Sequence, residues 1–155
     1  MRSVIQRVKR ASVCVENRVI ASITQGLVVF LGVCHDDDSS RVHWMADKVT
    51  SLRIFPNEQG KMNKSVSQVA GGLLIVSQFT LYANTIKGRR PSFTEAAVRE
   101  TAEPLYNEFV NVCRQSISLV ETGWFGRDMD VTLVNWGPVT IWLDSDMRNP
   151  SHHSD

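Results

Sequence analysis

The chain has few of the residues and patterns that mark metal, nucleotide-cofactor and membrane proteins. Its 155 residues include three cysteines, Cys14, Cys34 and Cys113, which are widely separated and lack the spacing of metal ligands. It contains no GxGxxG, P-loop or CxxC motif, and no apolar run is long enough to span a membrane. We therefore expect no cofactor, no metal and no membrane partner.

The odd number of cysteines is typical of free thiols rather than disulfides. We expect all three thiols to be buried in a reducing compartment, and hence a cytoplasmic protein. The chain opens like a strand and not like a signal peptide. Its length fits one compact domain, which we place at residues 1–145. A polar tail is predicted at 146–155, with His152 and His153 in it.

Charge is nearly balanced, with a formal net charge of +1 at pH 7. Such a balance neither requires nor excludes a nucleic-acid partner, so any phosphate contact has to come from a local cluster. Two basic clusters are present: Lys87, Arg89 and Arg90 in a predicted loop, and Arg7, Lys9 and Arg10 in the first predicted strand. Solvated charge on an exposed rim is the alternative for both. The loop cluster is the stronger RNA candidate because it follows a polar strand end at residues 77–80.

Hydrophobic periodicity predicts more strands than helices. The predicted strands lie at 3–8, 11–15, 18–23, 26–33, 73–76, 119–120, 131–134 and 139–143. Helical spacing predicts one helix capped by Ser39 or Ser40 and a second capped by Thr101, with Pro104 in its first turn. Because the helices occur singly between strands, we expect an α+β fold, a mostly antiparallel sheet or barrel-like domain with two main packed helices.

The most informative segment is residues 77–83, Ser-Gln-Phe-Thr-Leu-Tyr-Ala, at the end of an apolar run. Consecutive backbone N–H groups at a strand end can stabilise the negative charge that develops on the carbonyl oxygen during ester hydrolysis. We hypothesise that the N–H groups near Phe79 and Thr80 form such an oxyanion hole and that Gln78 orients the substrate carbonyl. The alternative is an ordinary strand that buries Phe79 in the core.

A nucleophilic role for Thr80 would need a neighbouring base to take the proton of its hydroxyl. Candidate bases are few, since two of the four histidines lie in the tail, and His35 and His43 are expected on the surface. The acidic run at 36–38 is expected to favour the positive N-terminus of the first helix rather than to bind a metal. Without a protein base the substrate has to supply one. The hydroxyl beside the ester of an aminoacyl-tRNA fits that requirement.

A second segment, residues 135–140, reads Asn-Trp-Gly-Pro-Val-Thr and separates two predicted strands. A trans bond is the statistical expectation for Gly137-Pro138, since only about 5–6% of bonds before proline are cis in folded proteins. A cis bond would direct two successive carbonyl oxygens the same way and form a rigid wall with acceptors for an ammonium group. The residues alone leave both arrangements open.

Together these segments resemble the D-aminoacyl-tRNA deacylase family, hydrolases that remove D-amino acids from mischarged tRNA. The similarity covers nearly the whole chain up to Ser145. It rests on MRSVIQRV at the start, LRIF at 52–55, GKMN at 60–63, SQFTLYA at 77–83, KGRRPSF at 87–93 and N-x-GPVT at 135–140. The resemblance implies a homodimer of barrel-like subunits that acts on tRNA. Gly137 and Pro138 of one protomer, joined by a cis bond, would enter the active site of the other.

The resemblance also implies roles for single residues. The catalytic pocket would be lined by Ser77, Gln78, Phe79 and Thr80. Backbone N–H groups there and the 2′-hydroxyl of the terminal adenosine would serve the reaction, or else Thr80 would be the nucleophile. Substrate binding and exclusion of L side chains would depend on Gly137, Pro138 and Met129, and tRNA binding on Lys87, Arg89 and Arg90. Because glycine has no side chain to exclude, glycyl-tRNA should also be hydrolysed.

Two positions depart from the family pattern, Trp136 in place of a small acidic residue and Ile86 in place of a basic one. Local packing is the favoured interpretation of Trp136, ahead of a dimer contact or stacking on the tRNA end. The family assigns no role to Trp124. Two other classes of function stay open, a nucleic-acid-binding module without hydrolytic activity and a small-molecule esterase that uses Thr80 covalently.

Overall fold

The computed structural model describes residues 1–148, and the predicted tail histidines, His152 and His153, lie outside the described residues. The described part contains the strands β1 (Arg2–Val15), β2 (Arg18–Ile23), β3 (Gly26–Gly32), β4 (Phe55–Pro56), β5 (Met62–Lys64), β6 (Gly72–Ser77), β7 (Val120–Thr122) and β8 (Asp130–Asp144). It also contains the helices α1 (Ser39–Ser51) and α2 (Arg99–Arg114) and two short 3-10 helices, Phe79–Tyr82 and Ser145–Arg148. None of the helices described is long and apolar enough to cross a membrane.

Strand β1 organises the sheet because it has neighbours on both sides. Its first half pairs with β3 and its second half with β2, while β8 runs along nearly its whole length, all antiparallel. Beyond β3 the sheet continues through β6 and β7 in parallel pairs, and β4 and β5 form a separate two-stranded sheet. The main sheet is nearly barrel-shaped and carries two main helices, which confirms the predicted α+β class.

Strand β6 lies at the centre of the fold and is buried on both faces. Leu73 and Ile75 belong to the hydrophobic cluster that packs under the two helices, whereas Leu74 and Val76 belong to a second cluster shared with β2. A strand with parallel neighbours and covered faces reads as a continuous apolar run, as this one does. Each such side chain stabilises the fold by about 1.5–3 kcal/mol relative to an exposed one. This rigid strand ends at Ser77, where the first motif begins.

The acidic run before α1 serves the fold. The N-cap of α1 is Asp38, whose carboxylate accepts a hydrogen bond from the Arg41 backbone N–H at 2.9 Å. The prediction of Ser39 or Ser40 as the cap is therefore wrong, because an aspartate just before them already satisfies a free amide of the first turn. Asp37 is buried and accepts from the Arg41 guanidinium at 3.2 Å. Among residues 1–148, no group of three His, Cys, Asp or Glu side chains is placed to hold a metal ion.

Helix α2 begins at Arg99, so the prediction of Thr101 as its cap is wrong. Pro104 consequently lies inside the helix rather than in its first turn. Because proline has no backbone N–H, the hydrogen bond from this position to the carbonyl four residues earlier is missing. The buried face consists of Ala102, Tyr106, Phe109, Val110 and Cys113. Helical spacing in the sequence predicts a buried stripe of Leu105, Phe109, Val112 and Cys113. Phe109 and Cys113 are fully buried as predicted, and the burial of Tyr106 was not predicted.

Strands β1 and β8 are each continuous where the sequence predicted two strands. Strand β8 joins the predicted strands at 131–134 and 139–143, and β1 joins those at 3–8 and 11–15. Their pairing shifts register twice, between Gln6 and Val8 and between Val8 and Arg10. Bulges of this kind take up extra residues without ending a strand. The larger shift places residues 136–139 opposite Arg7.

The three free cysteines differ in burial, which corrects the expectation that all would be buried. Cys113 on α2 is fully buried, whereas Cys14 and Cys34 are partly exposed. Burial raises the pKa of the Cys113 thiol to about 12. Because the thiolate is the reactive form, Cys113 is inert at neutral pH in the folded protein.

We expect iodoacetamide in mildly alkaline buffer to alkylate Cys14 and Cys34 in the native protein and to spare Cys113 until the chain unfolds. The thiol pKa is higher in the folded state than its ordinary value of 9.0, so this group's contribution to stability is complete below that pH and is lost as pH rises toward about 12. Peptide mass spectrometry across a denaturant series measures the labelling. Native modification of Cys113 as fast as that of Cys14 would contradict the burial.

Candidate active site

The chain leaves the sheet at the end of β6 and turns at once into the 3-10 helix Phe79–Tyr82. The Gln78 backbone N–H donates to the Leu31 carbonyl at 2.8 Å, which is the last bond to β3. Beyond it Phe79 turns outward and is 58% exposed, whereas Tyr82 is buried. The ordinary-strand interpretation, which would bury Phe79, is therefore wrong, and the segment projects from the sheet instead.

Two backbone amides at this turn have no partner in the described chain. The 3-10 helix is closed by Leu81 N–H to Gln78 O at 3.2 Å and Ala83 N–H to Thr80 O at 3.0 Å. The amides that open such a helix, here those of Phe79 and Thr80, have no acceptor within it. Neither donates to any other backbone or side-chain acceptor in residues 1–148. Two consecutive donors are thus available to an anionic oxygen at the end of β6.

The Thr80 hydroxyl has a single side-chain partner in the part of the chain described, the Gln78 amide, which donates to it. Within residues 1–148, no histidine or carboxylate is hydrogen-bonded to this hydroxyl. His35 contacts the Thr94 carbonyl and His43 contacts α1 itself. A hydroxyl without a base to take its proton is a weak nucleophile.

A cavity of about 440 Å³ opens beside this turn. Of the predicted catalytic and selectivity residues, Ser77, Gln78, Phe79 and Met129 line it, and Thr80, Gly137 and Pro138 do not. Its walls are largely apolar, formed by Leu31, Val33, Val76, Ala97, Ala102, Tyr106, Phe125 and Val131. A concave apolar site with a few polar groups at one end is the usual form of a small-ligand pocket.

Two stretches of the pocket wall escaped the sequence analysis, the first turns of α2 and the turn at residues 125–128. Tyr106 on α2 donates its hydroxyl to the Ile75 carbonyl at 2.8 Å, which fixes the helix against β6. Met129 packs so closely that a side chain on Gly123 would come within 2.5 Å of its sulfur. The helical spacing of Tyr106 from Phe109 and the Gly-aromatic-Gly run at 123–126 were the available signals.

Gly137 and Pro138 lie on the exposed bulge of β8 opposite Arg7, and the bond between them is cis. The Asn135 side-chain amide closes this bulge, donating to the Arg7 carbonyl at 3.1 Å and to the Val139 carbonyl at 3.0 Å. A Cβ at position 137 would come within 2.5 Å of the Asn135 side-chain oxygen. Only glycine fits here while Asn135 keeps both bonds.

Arg7 and Trp136 hold the base of the bulge from inside. The Arg7 guanidinium lies 4.6 Å from the centre of the Trp136 ring and donates to the Trp136 carbonyl at 2.9 Å. Phe55 meets the same ring edge-on at 6.3 Å. Trp136 thus packs locally, which is the interpretation that the sequence analysis favoured. Arg7 is buried, which lowers the pKa of its guanidinium and removes it from any surface phosphate cluster.

The basic loop follows the 3-10 helix and is closed at its base. Asn84 and Ser92 exchange backbone hydrogen bonds at 2.7 and 2.9 Å. Lys87, Arg89 and Arg90 lie between them and are exposed. Phe93, just after the loop, packs edge-on against Phe79 with ring centres 5.1 Å apart. The loop cations are therefore tethered to the turn that carries the free amides.

Comparison with solved structures defines the class of protein first. The fold is shared with "c-Myc DNA Unwinding Element Binding Protein", at 41% identity and a TM-score of 0.89 over 93% of this chain and 98% of the other. A "probable eukaryotic D-amino acid tRNA deacylase" has the same fold at 18% identity, with a TM-score of 0.78 over 92% of this chain and 97% of the other. The class is an α+β domain with a pocket at the end of its central strand.

Sequence comparison then gives the family. The family model described as D-Tyr-tRNA(Tyr) deacylase matches residues 4–144, and the chain belongs to this family. A protein of Exiguobacterium sp. named D-aminoacyl-tRNA deacylase is 53% identical over 93% of this chain and 98% of its own length. One of the same name from Thermomicrobium roseum is 54% identical over 94% of each chain. The resemblance inferred from the motifs is confirmed.

Proposed function

We propose that this protein hydrolyses the ester bond of D-aminoacyl-tRNA and of glycyl-tRNA, releasing the amino acid and intact tRNA. The observation that carries the proposal is the pair of free amides, Phe79 and Thr80, beside an apolar pocket. Family membership supports it, since the relatives are named for this activity. Such a reaction takes place where tRNAs are charged, in the cytoplasm, and partly exposed free thiols suit that reducing compartment.

The amides act on the oxyanion. As water or hydroxide adds to the ester carbonyl, negative charge develops on its oxygen, and preorganised N–H donors stabilise that charge more than the neutral ground state. Phe79 and Thr80 are held in position by the 3-10 hydrogen bonds and by the last bond of β6. Gln78, which lines the pocket, orients the carbonyl. The 2′-hydroxyl of the terminal adenosine lies beside the ester and assists the proton transfer.

Selection between enantiomers comes from a second copy of the chain. Gly137 and Pro138 are exposed and do not line the pocket of their own subunit, which supports their delivery to a bound substrate by a partner. In a homodimer this backbone wall grips the ammonium group, leaves room for a D side chain and excludes an L side chain. Met129, on the pocket wall, bounds the same space.

The tRNA body is held by the basic loop. Lys87, Arg89 and Arg90 are exposed and have no ion-pair partner among residues 1–148. Their charge is available to phosphates, and the Phe79–Phe93 contact keeps the loop next to the pocket. Ile86, at 87% exposed, adds no charge to this patch.

A deacylation assay with matched substrates tests the proposal. We expect D-aminoacyl-tRNA and glycyl-tRNA to be hydrolysed and the L-aminoacyl-tRNA of the same amino acid to be spared by at least about 100-fold, equivalent to ~2.7 kcal/mol of discrimination. The measurement is release of labelled amino acid under single-turnover conditions. Hydrolysis of the L substrate at the D rate would refute the wall, and sparing of glycyl-tRNA would refute selection by side-chain exclusion.

A binding module without hydrolysis is the second candidate. It is favoured by the 41% identical structure whose title describes a DNA-binding protein. The same assay decides between the two, because a pure binding module leaves every ester intact while still retarding nucleic acid in a gel. The largely apolar pocket beside the free amides favours hydrolysis, since a surface that only binds phosphates has no need of such a pocket.

A further inference from the structure

Trp124 differs from the other three tryptophans of the chain. Each of the other three has a cation near its ring. The distance from the cation to the ring centre is 5.8 Å for Lys48 and Trp44, 4.6 Å for Arg7 and Trp136, and 5.8 Å for Arg2 and Trp142. Trp124 is 51% exposed and has neither a cation nor an aromatic ring against it within residues 1–148. An exposed indole without a partner is a ready surface for a planar ligand.

The position of Trp124 ties it to the pocket. It directly precedes Phe125, Gly126 and Arg127, which line the cavity, and the Arg127 N–H donates to the Trp124 carbonyl at 3.3 Å. The turn begins at Gly123, whose N–H donates to Ile75 at 3.0 Å. Trp124 itself does not line the cavity. Its ring is therefore carried on a turn at the rim, anchored to the same central strand as the free amides.

Positive charge lies at the same rim. Arg127 lines the pocket, is exposed and has no ion pair in the described chain. Arg99 lies over the Phe125 ring at 5.9 Å and forms an ion pair with Glu103 at 2.8 Å, so its charge is partly neutralised. Asp128 also lines the pocket, so the positive charge of the rim is confined to the arginine side chains.

We propose that Trp124 and Arg127 form a subsite for the single-stranded nucleotides that precede the terminal adenosine of the substrate, with a base stacked on Trp124 and a phosphate on Arg127. The inference rests on the proposed function, because an aminoacyl-adenosine in the pocket forces the attached nucleotides across its rim. An aromatic side chain next to a cation is the arrangement that binds single-stranded nucleic acid without reading its sequence. The subsite is separate from the basic loop at 84–92.

Comparing two substrates isolates the subsite. We expect Trp124→Ala to lower kcat/KM for D-aminoacyl-tRNA by about 10-fold, the loss of one stacked base, and to leave D-aminoacyl-adenosine, which has no preceding nucleotides, unchanged. Trp124→Phe, which keeps a stacking surface, should recover most of the loss. Trp142→Ala is the matched control, an exposed tryptophan on β8 that does not line the pocket, and it should behave as wild type on both substrates.

Binding gives a second readout that does not need hydrolysis. We expect deacylated tRNA to quench tryptophan fluorescence in the wild type and in Trp142→Ala, and to lose most of that quenching in Trp124→Phe. Arg127→Ala should reduce the slope of log affinity against log salt concentration by about one.

Equal losses on both substrates in Trp124→Ala, or no loss on either, would overturn the subsite while leaving the deacylase proposal intact. Failure of the wild type on both substrates would count against the deacylase itself. The fluorescence and salt measurements would then decide the subsite alone, and unchanged quenching in Trp124→Phe would overturn it.

Discussion

Replacing the 2′-hydroxyl of the terminal adenosine by hydrogen is expected to lower the deacylation rate of D-aminoacyl-tRNA by about 10²–10⁴-fold, the usual contribution of a positioned proton-transfer group. The reason is that, among residues 1–148, no histidine lines the pocket and its one carboxylate, Asp128, makes no hydrogen bond to the Thr80 hydroxyl. The Thr80 hydroxyl contacts only the Gln78 amide among the side chains described, and neither His35 nor His43 lines the cavity. Single-turnover hydrolysis of tRNA ending in 2′-deoxyadenosine, with the amino acid on the 3′ oxygen, measures the effect.

The matched enzyme change is Thr80→Ala, which removes the hydroxyl and keeps the backbone N–H. We expect it to lower the rate by less than about 10-fold, because an amide in an oxyanion hole does not depend on its own side chain. A covalent esterase mechanism predicts the reverse ranking, with Thr80→Ala inactive, an acyl-enzyme detectable by mass spectrometry and little dependence on the 2′-hydroxyl. That ranking would overturn RNA-assisted catalysis.

The strand end at residues 77–80 could be predicted from sequence because its signals are local. A four-residue apolar run predicts a buried strand, and the polar residues after it mark where the strand leaves the core. The free amides, in contrast, could not be predicted from local patterns alone. The sequence raised them only as a hypothesis, since the same letters also fit an ordinary strand, and the outward turn of Phe79 depends on the bond from Gln78 to Leu31 in another strand.

The other parts of the site depend on contacts between residues far apart in sequence, and local patterns do not specify these. Arg7 looked like part of a surface cluster, yet it is buried beneath Trp136, a residue more than a hundred positions away. Tyr106 joins the pocket because α2 packs against β6, where the Tyr106 hydroxyl donates to the Ile75 carbonyl. Propensity gives way to tertiary packing at such positions.

The segment around Gly137 and Pro138 also could not be predicted from local patterns, because its course depends on pairing with another strand. The sequence divided residues 131–143 into two strands at Gly137, because glycine followed by proline usually ends a strand. Pairing with one long neighbour, β1, carries β8 through the interruption, and Asn135 supplies the missing backbone partner by bridging two carbonyls. The exposed bulge that results is what places Gly137 and Pro138 outside their own pocket.

Substituting Gly137 by alanine is expected to reduce turnover of D-aminoacyl-tRNA by about 100-fold, the cost of misplacing a positioning group by about 1 Å. The new Cβ would lie 2.5 Å from the Asn135 side-chain oxygen. Relief requires that amide to move, which breaks its bonds to the Arg7 and Val139 carbonyls and costs about 0.5–1.5 kcal/mol for each bond. Asn135→Ala should cause a similar loss of turnover without the clash.

Thr132→Ala, at an exposed position of the same strand, is the control and should match the wild type in turnover and in thermal unfolding. Normal turnover and normal rejection of the L substrate by Gly137→Ala would contradict the role of this bulge. A loss confined to stability, with turnover per folded molecule unchanged, would contradict it equally.

Mixing two defective chains tests whether the wall acts on the partner's pocket. Phe79→Pro removes one oxyanion donor at the first position of a 3-10 helix, where proline is tolerated, and should inactivate the pocket of its own chain. Co-expressed with Gly137→Ala, it forms mixed dimers in which one site has an intact pocket from one chain and an intact wall from the other. We expect these mixed dimers to recover about half of the wild-type activity, because one of the two sites is complete. If each wall served its own pocket, every site would carry a defect and mixing would restore nothing.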